Sequence, residues 1–109
     1  MIKLATAEQF EEVVSTAEPF LLLKHSVTCP ISLTAYEEYQ EFILENPKYK
    51  CYFLTVQDAR PLSNYIAEKY HIKHESPQAI LFVNKEVAWH ASHRKVTNNA
   101  LRDVLEENQ

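Results

Sequence analysis

Phe20-Leu21-Leu22-Leu23 is an uninterrupted run of large apolar residues, so a strand built on it has no face suited to water. Such a strand belongs inside a sheet covered on both sides, which demands helices before and after it. Downstream, Ala35, Tyr39, Phe42 and Ile43 recur at helical spacing. Pro30 suits the first position of that helix, where its missing N–H has no partner to lose. Cys29 of the segment Thr28-Cys29-Pro30-Ile31-Ser32 therefore falls at the helix N-cap. Unpaired N–H groups and the positive end of the helix dipole face its sulfur there. This setting favours thiolate over thiol, and the thiolate is the species that attacks disulfides.

The rest of the chain supplies the covering elements. Thr6-Ala7-Glu8-Gln9 reads as a capping box, followed by Phe10, Val13, Val14 and Ala17 on one helical face. Pro19 ends that helix, and Asn46-Pro47 ends the one after Cys29. Residues 51–56 form a second buried strand, and Asp58 and Pro61 introduce a third helix bearing Leu62, Tyr65, Ile66 and Tyr70. After Pro77, residues 79–83 and 86–90 flank the pair Asn84-Lys85 as a hairpin. Thr97 caps a last helix with Ala100, Leu101, Val104 and Leu105. The order α-β-α-β-α-β-β-α gives an α/β domain spanning residues 1–109, with a mixed four-stranded sheet flanked by helices.

Composition narrows the chemistry. With 15 acidic against 11 basic residues and no basic stripe, nucleic acid is not an expected partner. The chain has no glycine, which excludes glycine-rich phosphate loops and the dinucleotide fingerprint. The N-terminus meets acid at Glu8, too early for a signal peptide, and no apolar run approaches a membrane span. A cytoplasmic protein without a membrane partner is expected. Cys29 and Cys51 are too far apart in sequence for a CxxC motif, and a reducing compartment does not favour a disulfide framework. The histidine pairs His71/His74 and His90/His93 lack a cysteine or carboxylate at zinc-like spacing, so no metal is expected.

The element order is that of thioredoxin-like proteins. Lys24-His25-Ser26, Thr28-Cys29-Pro30-Ile31-Ser32, Arg60-Pro61-Leu62-Ser63 and His74-Glu75-Ser76-Pro77-Gln78 together resemble the monothiol bacilliredoxins. That resemblance covers essentially the whole chain. It implies an oxidoreductase that removes bacillithiol from S-bacillithiolated client proteins, with bacillithiol as co-substrate, a second low-molecular-weight thiol to free the enzyme, and no bound cofactor. Ser32 stands where thioredoxins have their second cysteine, so the exchange would use one thiol. Leu23 stands where thioredoxins commonly carry a buried Asp, and Lys24 and His25 are nearby sources of charge.

Within this scheme Cys29 is the nucleophile, and Pro30 keeps the helix start aimed at it. Ser32 is placed either to donate a hydrogen bond to the thiolate or to serve as an ordinary first-turn serine. Thr28, Ser76 and Pro77 would line the substrate site, with a cis Ser76–Pro77 bond exposing the Ser76 backbone to an extended client. The malate of bacillithiol calls for cationic or N–H donors, for which Lys24 and His25 are candidates, with His93, Arg94 and Lys95 beyond them. Cys51 reads as a core residue rather than a remote resolving thiol. The alternative function is a non-catalytic redox sensor or binding module whose Cys29 is reversibly capped.

Overall fold

Side-chain caps start the outer helices. In the computed structural model, which describes residues 1–108, the Thr6 hydroxyl accepts the Gln9 N–H and the Gln9 side chain accepts the Thr6 N–H. This reciprocal pair opens helix α1 (Ala7–Ser15). Thr97 opens α4 (Asn98–Glu107) by accepting the Ala100 N–H at 3.1 Å. Between them run β2 (Phe20–His25), α2 (Pro30–Glu45), β3 (Cys51–Thr55), α3 (Arg60–Tyr70), β4 (Gln78–Val83) and β5 (Glu86–Ser92). A single 3₁₀ turn, His93–Lys95, leads into α4.

The sheet has five strands rather than the expected four, because Ile2–Lys3 forms a short edge strand, β1. Two exposed residues are too few to show a strand period, so only the parallel pairing of Ile2 with Tyr52 and Lys3 with Phe53 defines it. The strand order is β1-β3-β2-β4-β5, with β2 central, parallel to β3 and antiparallel to β4.

The pleat of β2 divides the core. Phe20 and Leu22 face α1 and α3, packing with Phe10, Leu62, Ile66 and Phe82. Leu21 and Leu23 face α2 and α4, packing with Tyr39, Phe42, Leu81 and Leu101. These four apolar side chains of β2 are all buried, as a double-sided core requires. Without glycine, the reversals use other residues at positive φ: Ala17, His71, Asn84, Lys85 and His93 among the described residues. His71 ends α3 in the left-handed region, and Asn84 and Lys85 at φ 52° and 70° make the hairpin turn. Among the described residues no helix is long and apolar enough to cross a membrane.

Candidate active site

The end of β2 delivers the chain to Cys29, which forms the N-cap of α2 with φ −106° and ψ 120°. Pro30 brings no N–H, and the N–H groups of Ser32 and Leu33 both donate to the Cys29 carbonyl, at 3.0 and 3.2 Å. The Ile31 N–H is thus the free donor of the first turn. Cys29 is half-buried, and Val27, two residues before it, and Leu33, four residues after it, are exposed apolar side chains.

Alternation along β2 sends its last two side chains to opposite faces. His25 continues the line of Leu21 and Leu23 and meets the start of α2. Its Nδ1 lies 3.0 Å from the Ser32 hydroxyl, and its ring packs on Tyr36 with centroids 4.6 Å apart. Ser32 is wholly buried, and its oxygen also accepts the Ser26 N–H at 2.8 Å. The hydroxyl is therefore held by the turn before Cys29, and the sulfur is not among its hydrogen-bond partners. Burial lowers the His25 pKa, offset in part by hydrogen bonding to Ser32, so the ring is neutral at neutral pH.

Lys24 takes the other face and is wholly buried. Its ammonium donates to the Ser63 carbonyl at 3.0 Å and lies 3.4 Å from His74 Nδ1, which is also 3.0 Å from the Ser63 hydroxyl. Burial pushes the Lys24 pKa down to about 8. The same burial, with the Lys24 and Arg60 charges behind it, lowers that of His74. The expectation that Lys24 meets a substrate carboxylate is corrected here. Its stem fills the gap between sheet and α3, and its nitrogen is spent on internal acceptors.

Gln57, in the turn after β3, was not singled out from sequence, where a lone glutamine in a loop carries no pattern. It accepts the Val27 N–H at 3.2 Å and donates to Ser26 Oγ at 3.0 Å and to Thr28 Oγ1 at 3.3 Å. One side chain thereby ties down the loop preceding Cys29. Across from it, the Ser76–Pro77 bond is cis, and the Pro77 carbonyl accepts the His93 N–H at 2.9 Å. Neither the N–H nor the carbonyl of Ser76 finds a protein partner among the described residues. His93 itself faces Glu75, Nδ1 to Oε2 3.4 Å, while Arg94 and Lys95 point outward and are exposed.

Cys51 lies at the other end of the sheet. It pairs in register with Leu21, four residues before His25, about 13 Å along the strand at the usual rise. It is buried, and burial raises its pKa to about 11.

This arrangement, a half-buried cysteine capping the helix after a central strand with a proline loop opposite, defines a thioredoxin-like protein of the thiol-redox class. A structure described as a candidate oxidoreductase with a thioredoxin fold shares 43% identity, covering 95% of this chain and 92% of its own, with a TM-score of 0.90. Thioredoxin from Fasciola hepatica matches across 100% of both chains with a TM-score of 0.81. Thioredoxin from Plasmodium falciparum covers 99% of this chain and 97% of its own, with a TM-score of 0.76. At 15% identity each, these two establish the fold alone. The family model for the monothiol bacilliredoxin BrxC matches residues 2–101, and the chain belongs to that family.

Proposed function

We propose that the protein removes bacillithiol from S-bacillithiolated proteins by a one-thiol exchange at Cys29. The Cys29 thiolate attacks the bacillithiol sulfur of the client's mixed disulfide. The client–bacillithiol S–S bond breaks, a Cys29–bacillithiol S–S bond forms, and the client leaves as a thiolate that takes a proton from water. A second low-molecular-weight thiol then attacks the mixed disulfide on the enzyme. It departs joined to bacillithiol as a disulfide and returns Cys29 reduced, so that thiol supplies the electrons. The observation that carries this reading is the isolation of Cys29. Position 32 holds a buried serine, and Cys51 is buried at the opposite end of the sheet, paired with Leu21 near the start of β2, so no internal thiol can resolve the intermediate.

The surroundings fit a protein client. Exposed Val27 and Leu33 offer apolar contact, and the unpaired backbone of Ser76 beside Pro77 can hydrogen-bond an extended segment in the manner of an added strand. Thr28, exposed next to Cys29, is available to the same client. The reducing cytoplasm is the compartment in which a half-buried thiol of this kind stays available.

Intact-mass analysis of the reduced protein mixed with a bacillithiolated client tests the proposal. Wild type and Cys51→Ser should each gain one bacillithiol, Cys29→Ser none, and added bacillithiol should release the adduct. Transfer that survives in Cys29→Ser would sink the reading. Capture without release would favour the sensor.

A further inference from the structure

The Ser32 hydroxyl carries one proton and two lone pairs, and its surroundings decide where that proton can go. The Ser26 N–H, at 2.8 Å, fills one lone pair. His25 Nδ1, at 3.0 Å, is the remaining partner, and the direction of that bond depends on the ring. With Nδ1 bare, the Ser32 proton is the only one that can make the bond, and it points at the imidazole. With the proton on Nδ1, the ring donates instead, both lone pairs of Ser32 are filled, and the hydroxyl proton needs another acceptor.

Ser32 is the third residue of α2, and Cys29 is the N-cap of the same helix. Residues three apart at a helix start are neighbours on one face, so the Ser32 hydroxyl lies on the side of α2 that carries Cys29. We infer that His25 is a positioning residue for the exchange: the site of its ring proton sets whether the Ser32 hydroxyl is tied to the imidazole or turned to stabilise a thiolate on Cys29. The inference rests on Cys29 being the nucleophile of the proposed function. It adds a way for the site to present different donors to a capped and to a free sulfur.

The proton balance closes within the ring and solvent. When Cys29 is capped, neutral His25 holds its proton on Nε2 and Nδ1 accepts from Ser32. When the thiolate is released, a proton leaves Nε2 to water and another arrives at Nδ1, which donates to Ser32. The Ser32 hydroxyl then donates to sulfur, with no net change in charge on the imidazole. His25 is half-buried, so its outer nitrogen can trade protons with water. Tyr36 from α2 packs on the ring, Thr55 is its register neighbour on β3 and donates to Asp58, and Lys24, one residue earlier on β2, turns its ammonium to the other face of the sheet.

The test is the pH dependence of Cys29 alkylation by iodoacetamide in wild type, His25→Phe, Ser32→Ala and the double variant. Phenylalanine keeps the packing on Tyr36 and deletes both nitrogens. The wild-type profile should show an extra inflection below pH 6.5, the ordinary value for histidine, from His25 titration, and each single variant should lack it. Ser32→Ala should slow alkylation about tenfold at neutral pH, the effect of one hydrogen bond to a charged group. His25→Phe should change the wild-type rate by about threefold and the Ser32→Ala rate hardly at all, since coupling vanishes once its carrier is gone. As a second readout, ¹⁵N shifts of the His25 ring should report a bare Nδ1 in alkylated protein and a protonated one in the thiolate form.

An inflection that persists in Ser32→Ala, or a ring tautomer indifferent to the state of Cys29, would overturn the inference. Iodoacetamide reads Cys29 without bacillithiol. Failed bacillithiol transfer alongside intact coupling would therefore remove the proposed substrate and leave the role of His25 standing.

Discussion

Lys24 and His25 are consecutive residues at the end of one strand, yet they live in different surroundings. The pleat turns Lys24 toward α3, where it is wholly buried and its partners are a carbonyl and an imidazole. It turns His25 toward α2, where the ring keeps contact with solvent and bonds the serine one helical turn past Cys29. One node joins α3 to the segment leading into Pro77, and the other joins β2 to the turn that carries the thiol. The comparison teaches that polarity near a redox cysteine is not in itself chemistry. What matters is whether the polar group can exchange protons and whether it touches the reacting turn.

The largest effect that would sharpen this division is on stability. Lys24→Ala should cost about 3 kcal/mol in urea unfolding, through a cavity and the loss of the Ser63 and His74 bonds. Lys24→Met keeps the volume and removes a buried charge, and should cost no more than about 1 kcal/mol. Alkylation of Cys29 in Lys24→Met should stay within about twofold of wild type, inside the effect of losing one neutral hydrogen bond. A larger change there than in His25→Phe would break the comparison.

A second effect follows from pH. Lys24 has a folded pKa of about 8 against an ordinary 10.5, so between those values the unfolded chain binds more protons. Folding stability attributable to Lys24 should therefore rise as pH climbs from about 8 toward 10.5, by about 3 kcal/mol in all. Cys51 works in the opposite sense. Its folded pKa of about 11 against 9 means that stability falls as pH rises through that window. Subtracting the Lys24→Met stability profile from that of wild type isolates the lysine. His74 and His25, both held below 6.5, give a loss of stability on the acid side as pH drops through that value.

The smallest effect concerns the loop that both nodes border. Gln57→Ala removes three hydrogen bonds to residues 26–28, should cost about 1 kcal/mol, and should speed amide exchange at Val27. If Val27 protection is unchanged, the loop is held by β2 and α2 without Gln57.

How much of this was legible in the sequence varies with the length scale of the signal. The apolar run 20–23, the capping box at Thr6 and Gln9, the Thr97 cap and the Asn84-Lys85 turn are local patterns, and each element appears where its pattern lies. Cys29 at the head of α2 follows from the same reasoning. The edge strand Ile2–Lys3 does not, because its identity is conferred by Tyr52 and Phe53 across the sheet. Lys24 misled for a related reason: a lysine reads as exposed, and only the meeting of Ser63 and His74, 39 and 50 residues further on, gives its ammonium a buried home. Gln57 gains its role in the same way, from bonds to residues about 30 positions earlier in the chain.

A chain without glycine must bend with side chains in the way. Asn84 and the two histidines tolerate the left-handed region comparatively well, but Ala17 and Lys85 sit there at a cost of about 1 kcal/mol each. Ala17 lies just before β2 begins, and the pairing of Phe20 with Phe82 puts the Asn84-Lys85 turn at that same end of the sheet, opposite to Cys29. Glycine at either position would raise the melting temperature without approaching the thiol. A lineage carrying a damaging core substitution, or moving to a warmer habitat, thus has two compensating changes open to it that leave its redox chemistry alone.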